Sequence, residues 1–198
     1  MTLSGIDVSA AGQGAAFNWQ AWKGRVQFAG IKISEGTSYA DPDAARNIAG
    51  ARGIGAMVIG YHFLHAGLPG SAQCEAFLSH AKAAGHRPGD LIALDAEDGG
   101  LGGEMPSEMN ATAAAFTAEL RRHFPAYWPL AYTEISMAPA LTALGNCPLW
   151  LANPSGIPVK AIGPWKGGPS FEQVSQRGVD CDVFYGDLAA LKKLAVPG

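Results

Sequence analysis

The segment LIALDAEDGG, residues 91–100, decides the fold, because a short, wholly apolar run ends there in two carboxylates and a glycine-rich loop. A run of this length and composition is typical of a strand that is covered on both faces, as in a parallel sheet. Residues i and i+2 of a strand point to the same side, so Asp95 and Glu97 project together, and the small Ala96 points to the other side. We therefore predict a strand Leu91–Glu97 whose end carries an acid pair, followed by a loop Asp98–Met105.

The same alternation of apolar runs and helical stretches extends in both directions from this segment, which predicts an α/β fold. About eight strands are expected, the number that closes a TIM-like β/α barrel. The last two strands lie too close together for a crossover, so a hairpin with an antiparallel last strand is expected there. The predicted strands are Leu3–Ser9, Val26–Ser34, Ala56–Phe63, Leu91–Glu97, Leu130–Glu134, Pro148–Ala152, Phe171–Ser175 and Val179–Tyr185, and the predicted helices are Phe17–Gly24, Asp41–Arg52 with Asp41 as N-cap, Ser71–Ala84, Ser107–His123 and Ser136–Leu144.

Length and composition limit the function classes. The 198 residues, 48% of them hydrophobic, suffice for one domain, and no shift in composition marks a second one, so residues 1–198 are interpreted as a single domain. A net charge of −3 without a basic run argues against a nucleic-acid partner. Residues 1–5 lack the pattern of a secretory signal, and no apolar run is long enough for a membrane span. Synthesis in the cytoplasm, or excision from a longer product, is the expectation.

Cysteine and histidine spacing gives no sign of a metal or cofactor. Cys74, Cys147 and Cys181 are an odd number, widely spaced and without a CxxC motif, so free thiols are favoured, and a Cys147–Cys181 pair stays open. The five histidines show no HExxH-like spacing. We expect neither a catalytic metal nor a cofactor.

Acidic residues stand repeatedly at the ends of the predicted strands. A single acid at such a position is usually solvated, but several that converge at one end of a barrel lie where barrel enzymes build their active sites. Like charges held close together raise the pKa of at least one carboxyl, which then stays protonated and can act as an acid. One protonated and one ionised carboxyl are the groups that glycoside hydrolysis requires. The acids in question are Asp7, Glu35, Asp95, Glu97, Asp180 and Asp182.

Aromatic residues on the strands have two interpretations. Tyr61, Tyr132 and Trp150 are either core residues or platforms on which a pyranose ring stacks, and the sequence does not decide between the two. Core packing is favoured for Phe63. Alternation along the second strand places Ile31, Ile33 and Glu35 on one face and Lys32 on the opposite, outward face, so Lys32 is left out of the predicted site.

Two histidines follow the same argument. His62 points away from Tyr61 and is interpreted as a structural residue. His65 lies just past the third strand and is expected to be a solvated loop residue.

Six short segments, taken together, resemble the family 25 lysozymes, the Chalaropsis-type muramidases. Each segment alone is weak evidence, but all six occur in the family's order and approximate spacing. The resemblance implies an irregular eight-stranded barrel with an antiparallel last strand, and hydrolysis of the β-1,4 bond from N-acetylmuramic acid to N-acetylglucosamine in peptidoglycan. The segments are GIDVS at 5–9, IKISEG at 31–36, GYHF at 60–63, DAE at 95–97, LWLA at 149–152 and VDCDVF at 179–184.

The resemblance also implies residue roles. Glu97 would be the general acid/base, and Asp7 and Asp180 would shape an acidic floor. Asp95 would orient and stabilise either the substrate's own 2-acetamido group or the cationic centre. Substrate assistance is favoured over a covalent intermediate or inversion. The glycan strand is the expected partner of a monomer, and release of a phage endolysin through a pore is one expected route to the cell wall. The expected substrate contacts are Glu35, Tyr61, Tyr132, Trp150, Gln173 and Asp182.

Departures from the family pattern concern the saccharide groove. Glu172-Gln173 stands where members commonly carry Trp-Gln, and Asn153-Pro154 stands where an aromatic residue often follows LWLA. These changes put the subsite preference in doubt, but not the reaction class.

Two other functions stay open at this level. A catalytically silent wall-binding barrel would not need an acid pair. A chitinase-like glycosidase would carry the longer motif DxxDxDxE, but Gly89, Leu91 and Ala93 precede Asp95.

Overall fold

The structure is a computed structural model that describes residues 1–98, 105–176 and 178–197. Most of the predicted loop Asp98–Met105 lies outside these residues. None of the described helices combines the length and the apolar character that crossing a membrane requires. The strands are β1 (Leu3–Val8), β2 (Phe28–Glu35), β3 (Tyr39–Ala40), β4 (Met57–Phe63), β5 (Leu91–Asp95), β6 (Leu130–Glu134), β7 (Leu149–Ala152), β8 (Phe171–Ser175) and β9 (Asp180–Phe184), and the α-helices are α1 (Ala44–Gly53), α2 (Gly70–Ala84), α3 (Pro106–His123) and α4 (Leu188–Lys192).

The strands form one sheet that closes on itself. Its order is β1-β9-β8-β7-β6-β5-β4-β2, and β1 pairs with β2 to complete an eight-stranded barrel, while the short β3 adds to the edge of β2. The pairs β1–β2, β2–β4, β4–β5, β5–β6, β6–β7 and β7–β8 are parallel, whereas β9 runs antiparallel to both β8 and β1 and β3 runs antiparallel to β2. The prediction of an irregular TIM-like barrel with an antiparallel last strand is confirmed. Because β9 is reversed, its first residue lies at the same barrel end as the last residues of the other strands.

Two apolar layers hold the barrel together. The inner layer fills the lower part of the barrel, and Leu191 of α4 packs against it. The outer layer lies between the strands and the surrounding helices, where α2 and α3 pack against each other. The inner layer consists of Phe28, Ile59, Leu91, Ala93, Leu130, Trp150, Phe171, Phe184 and Leu191.

A glycine in β2 makes room for the largest residue of the inner layer. A Cβ atom on Gly30 would lie 2.7 Å from the Trp150 ring and 2.8 Å from the Asp7 Cβ atom, closer than real contacts allow. Any side chain at this position would therefore push Trp150 or Asp7 out of place. The glycine thus lets the indole lie directly beneath the mouth of the barrel.

Two of the predicted helices are wrong. Phe17–Gly24 contains a short 3₁₀ helix, Trp19–Trp22, and Ser136–Leu144 contains two 3₁₀ turns, Ala138–Ala140 and Thr142–Leu144. Pro139 explains part of this result, because proline lacks the N–H that an α-helix needs. Three short elements were not predicted: β3, α4 and the 3₁₀ turn Gly14–Ala16.

Several predicted boundaries also move. The fifth strand ends at Asp95, so Glu97 lies two residues beyond it, although Ala96 points into the outer layer as expected. Helix α1 begins at Ala44, and its N-cap is Asp43 rather than the predicted Asp41. Asp41 lies in the turn before the helix, where its carboxylate accepts hydrogen bonds from the N–H groups of Asp43 and Ala10. Helix α3 begins at Pro106, one residue before the predicted cap Ser107. Proline is favoured in the first helical turn, where no N–H bond is needed.

A β-bulge changes the face assignment in β2. Lys32 pairs with Tyr61 and Ser34 with His62, so Ile33 is an extra residue on β2. Ile31 and Ile33 belong to the outer layer. The prediction that they share a face with Glu35 is wrong, because the inserted residue reverses the alternation before Glu35.

Candidate active site

A pocket of about 220 Å³ opens at the mouth of the barrel, where the parallel strands end and β9 begins. Its lining includes the four residues predicted to be catalytic and most of the predicted substrate contacts. Glu35 and Asp182 are not in the lining: Glu35 pairs with the lining residue Lys32, and Asp182 is buried. The lining residues are Asp7, Lys32, Tyr61, Phe63, Asp95, Glu97, Tyr132, Trp150, Gln173, Gln176 and Asp180.

Asp95 and Glu97 lie together in this lining. Burial and the neighbouring charge of Glu97 raise the pKa of Asp95 well above its usual value. Burial, Glu134 and Asp180 raise the pKa of Glu97 to about 7, and the Lys32 ammonium opposes this rise. Asp95 is 7% exposed, and among the described residues no donor reaches its buried Oδ1 atom. The pair therefore retains a proton near neutral pH, as two close carboxyls must.

Asp7 is held by an amide network. Gln173 Nε2 donates to Asp7 Oδ2 at 3.0 Å, and Gln173 Oε1 accepts from the Tyr132 hydroxyl at 3.1 Å and from Gln176 Nε2 at 3.0 Å. Burial and Asp180 raise the pKa of Asp7 to about 7, while the hydrogen bonds from Gln173 and Asp182 act in the opposite direction. Gln173 thus connects the Asp7 carboxyl to Tyr132 across the mouth.

The two acids of β9 differ in environment. Asp180 pairs across the sheet with Asp7 and lies half-buried in the lining, where burial raises its pKa. Asp182 is 2% exposed, and its Oδ1 atom accepts a hydrogen bond from Trp150 Nε1 at 2.9 Å. Burial and Asp7 raise the pKa of Asp182 well above its usual value.

Lys32 lies in the site, contrary to the prediction from strand alternation. Its Nζ atom is 2.6 Å from Glu35 Oε2 and 4.9 Å from the centre of the Phe63 ring. The other Glu35 oxygen, Oε1, is 2.7 Å from His65 Nε2. Burial raises the pKa of Glu35, but the hydrogen bonds from Lys32 and His65 outweigh it and bring the pKa below the usual value. Glu35 therefore holds the lysine beside the acid pair, and His65 is a partner rather than a solvated loop residue.

The aromatic residues surround the pocket. Tyr61, Tyr132, Phe63 and Trp150 all contribute to the lining, so the prediction of pure core packing for Phe63 is wrong. Trp150 is 2% exposed and packs edge-on against Tyr132, which lets it act as a core residue and as part of the pocket wall. Burial, Asp7 and Asp95 raise the pKa of Tyr61, which is therefore a neutral hydrogen-bonding group.

His62 lies behind the sheet, as predicted. It is fully buried, with Nδ1 at 2.8 Å from the Ser34 hydroxyl and Nε2 at 3.2 Å from Gln73 Oε1. Burial lowers the pKa of His62 to about 4, so the ring is neutral. It links β4 to β2 and α2 and takes no part in the pocket.

Two residues near the acid pair were missed by the sequence argument. Gln176 contributes to the lining, and the charge of Glu134 raises the pKa of Glu97. Glu134 was detectable, because it stands two residues after Tyr132 on the same strand and so points to the same side. Gln176 follows β8 in a loop, and no spacing rule locates it.

The two departures from the family pattern contact each other. Asn153 Nδ2 donates to Glu172 Oε1 at 3.0 Å and to the Ile157 carbonyl at 2.8 Å. The Tyr185 hydroxyl donates to Glu172 Oε2. These residues lie on the outer side of β8, where they hold the loop that follows β7.

Groups that bind metals or form disulfides lie elsewhere. Within the described residues, the cluster with suitable geometry for a metal is Glu75, Glu119 and His123, which lies on α2 and α3 and not in the pocket. Cys74, Cys147 and Cys181 are free thiols. The Cys147–Cys181 pair that the sequence left open is not formed.

Comparisons with known proteins point to one family. The family model described as "Glycosyl hydrolases family 25" matches residues 6–181. The N,O-diacetylmuramidase of Chalaropsis sp. is 30% identical, with 98% of this chain and 99% of that protein covered. The structure of a family 25 lysozyme from Aspergillus fumigatus superposes with a TM-score of 0.80 at 30% identity, covering 100% of both chains. The bacterial lysozyme from Streptomyces coelicolor gives 0.79 at 28%, with 98% of both chains covered.

Proposed function

The chain belongs to the family 25 glycosyl hydrolases, and from this premise we propose that Glu97 and Asp95 are the acid pair with which it cleaves its glycan. The chain is a peptidoglycan-hydrolysing lysozyme, a muramidase that acts on the cell wall. The proposed reaction is hydrolysis of the β-1,4 bond between N-acetylmuramic acid and N-acetylglucosamine. The observation that carries the residue assignment is that the buried Asp95 and the partly buried Glu97 line the same acidic pocket.

Glu97 is the general acid in this proposal. With a pKa of about 7 its carboxyl is protonated in weakly acidic solution, and it lines the open pocket, where a glycosidic oxygen would lie. Protonation of the leaving oxygen is the step that such a carboxyl catalyses. The resulting Glu97 carboxylate then takes the proton from the attacking water.

Asp95 supports substrate assistance. Its carboxyl is almost fully buried, and its Oδ1 atom meets no donor among the described residues, so the ionised form has little compensation from the protein. The N–H of a 2-acetamido group is a donor that the substrate itself supplies. Hydrogen bonding to Asp95 would orient this group, so that its carbonyl oxygen attacks the anomeric carbon and stabilises the positive charge that develops there.

The remaining residues bind and orient the sugar. Asp7 and Asp180 contribute negative charge to the floor, opposite the place where the cationic centre forms. Tyr61, Tyr132 and Trp150 offer ring faces and polar edges of the kind that pyranose rings contact. Gln173 presents amide groups between Asp7 and Tyr132. Glu35 acts indirectly in this proposal, because it holds Lys32 in the pocket by an ion pair.

We also propose a domain organisation, an oligomeric state and a set of partners for the protein. One continuous sheet runs from β1 to β9, which supports a single catalytic domain over residues 1–198. We propose that it works as a monomer on glycan strands, without a cofactor and with neither nucleic acid nor membrane as partner. Sedimentation velocity at micromolar concentration tests the monomer, and dimerisation would contradict it.

Analysis of the products decides between this function and its alternatives. Peptidoglycan digested by the protein should yield fragments whose new reducing ends are muramic acid, identified by borohydride reduction and mass spectrometry. Chitin oligosaccharides serve as the matched substrate without lactyl groups and should be cut at least tenfold more slowly. New reducing ends at N-acetylglucosamine, or faster cleavage of chitin, would contradict the proposal, and binding without any new ends would indicate a silent wall-binding barrel.

A further inference from the structure

The Asp7 and Asp182 carboxyls form a pair that extends from the pocket wall into the interior of the barrel. Across the antiparallel β1–β9 pair, Gly5 faces Asp182 and Asp7 faces Asp180, so Asp182 is the diagonal neighbour of Asp7 on the inner face of the barrel. The two carboxyls are near enough that a hydrogen bond between them lowers the pKa of Asp7 and raises that of Asp182. Asp7 lines the pocket, whereas Asp182 lies one layer deeper and is 2% exposed.

The partners of Asp182 leave one of its oxygens without a donor. Trp150 Nε1 donates to Oδ1, but no N–H or O–H of the described residues reaches Oδ2, which is buried. A buried carboxylate oxygen without a donor is costly. If Oδ2 instead carries a proton, it is itself a donor, and the Asp7 carboxylate beside it is the acceptor. Protonation therefore satisfies the buried oxygen, which an ionised Asp182 does not.

We propose that Asp182 is a positioning residue that stays protonated through the reaction and donates its hydrogen bond to the Asp7 carboxylate. Together with Gln173 Nε2, which donates to Asp7 Oδ2, this bond fixes Asp7 in the pocket wall. The arrangement leaves one negative charge, rather than two, on the Asp7–Asp182 pair. Asp182 thus acts through Asp7 and does not contact the substrate. The inference rests on the proposed function, because it assigns a role in that reaction.

The surroundings agree with a neutral Asp182. Burial and the charge of Asp7, with a smaller contribution from Asp180, raise its pKa, and only the Trp150 hydrogen bond opposes them. The groups that face Asp7 itself are Asp180, Gln173, Asp182 and Glu97. None of these groups is a cation, so no positive charge among them stabilises a second negative charge on the pair.

Substitution by asparagine tests the proton directly, because an asparagine amide mimics a protonated carboxyl: Nδ2 can donate to Asp7 while Oδ1 accepts from Trp150. Hydrolysis of peptidoglycan by Asp182→Asn should fall by less than about fivefold, and by Asp182→Ala by about fiftyfold or more, mainly in kcat, as expected when a hydrogen-bond donor that positions a reactive group is lost. The acid limb of the pH–rate profile should stay in place for Asp182→Asn. Asp180→Asn is the matched control: it removes an ionised neighbour of Asp7 and should move that limb to lower pH.

Infrared spectroscopy gives a second measurement that needs neither substrate nor activity. At pH 8 the protonated-carboxyl C=O absorption of the wild type should contain a component that is missing from the spectrum of Asp182→Asn, and circular dichroism should show that both proteins are folded. Any one of three results would overturn the inference. The acid limb could shift in Asp182→Asn as it does in Asp180→Asn, Asp182→Asn could lose as much activity as Asp182→Ala, or the infrared absorption could be the same in Asp182→Asn and the wild type. If Asp182→Ala does not fold, the profile and the spectrum of Asp182→Asn decide alone. A wild type that releases no muramic acid ends would instead contradict the proposed function.

Discussion

The Lys32 ammonium lies 2.6 Å from the Glu35 carboxylate, three residues further along the same strand. In a regular strand these two side chains would point to opposite sides, and only the extra residue Ile33 brings them together. The ion pair is partly buried, with the lysine over the Phe63 ring. The bulge therefore brings Glu35 to the side of the strand on which Lys32 lies, and Lys32 is the one positively charged residue among the described residues that line the pocket.

Removing this charge should shift the pH dependence of activity. Lys32 lowers the pKa of both Asp95 and Glu97, so Lys32→Met lets Glu97 keep its proton to higher pH. The alkaline limb of the kcat/KM profile should move upward by roughly half a pH unit. Lys32→Arg retains the charge and is the control, with a limb close to that of the wild type. A downward shift in Lys32→Met would contradict this electrostatic role.

Glu97→Gln should abolish most of the activity while the protein stays folded. Loss of a general acid typically lowers the rate by about two to four orders of magnitude. The matched control is Glu134→Gln, which removes a nearby carboxyl that is not the proposed acid. It should lose far less activity, and its alkaline limb should move to lower pH, because Glu134 raises the pKa of Glu97. Turnover like that of the wild type in folded Glu97→Gln would end the assignment.

The acid pocket should make the protein less stable as pH rises. The pKa of Glu97 rises from 4.5 to about 7 on folding, so the folded state binds more protons than the unfolded state between these values. The free energy of unfolding should therefore be greatest near pH 4.5 and fall as pH rises towards 7. Glu97→Gln removes part of this slope and should be more stable than the wild type by about 2 kcal/mol at pH 8, but nearly equal at pH 4.5. Urea unfolding at both pH values measures the difference. Equal stability of the two proteins at pH 8 would show that ionisation of Glu97 does not destabilise the folded state.

Asn153 should matter for stability and little for catalysis. Its side chain is buried and donates to Glu172 and to the Ile157 carbonyl, so Asn153→Ala leaves two acceptors without that donor. A loss of about 1–3 kcal/mol in the free energy of unfolding is expected. Ser155→Ala is the control: Ser155 is exposed and bonds only at the edge of this network, so its change should stay within about 0.5 kcal/mol. A larger effect of Ser155→Ala than of Asn153→Ala would contradict the argument.

The sequence predicts the acids better than their surroundings, and the reason is physical. Asp7, Asp95 and Asp180 follow from strand ends and a period of two, which hold wherever a strand is regular. Lys32 does not, because its face is inferred from its alternation with Glu35, and the bulged residue Ile33 between them, which leaves no mark in the composition, reverses the side chains that follow it. The position of Gln176 is not predictable for a related reason, because Gln176 follows β8, where a second bulge lies between Gln173 and Ser175.

The role of Asp95 separates two mechanisms for the same enzyme. If Asp95 orients the acetamido group, no enzyme nucleophile exists, and the substrate's own carbonyl oxygen attacks the anomeric carbon. Asp95→Asn should then lose activity nearly as severely as Glu97→Gln, because the buried carboxylate that accepts the acetamido N–H is gone. Added azide should not restore the rate of Asp95→Ala through an inverted product, since no attacking group has been removed from the enzyme.

A covalent mechanism predicts the opposite result. Asp95 would then attack the anomeric carbon itself, and truncation to alanine would open space in which azide takes its place and forms a glycosyl azide of inverted configuration. The two carboxyls share one environment and their ionisations are coupled, so a pH profile alone does not distinguish these roles. Product analysis by NMR does. An inverted glycosyl azide isolated from Asp95→Ala, and absent from the wild type and from Glu97→Gln, would replace the substrate-assisted mechanism by a covalent one while leaving the lysozyme activity in place.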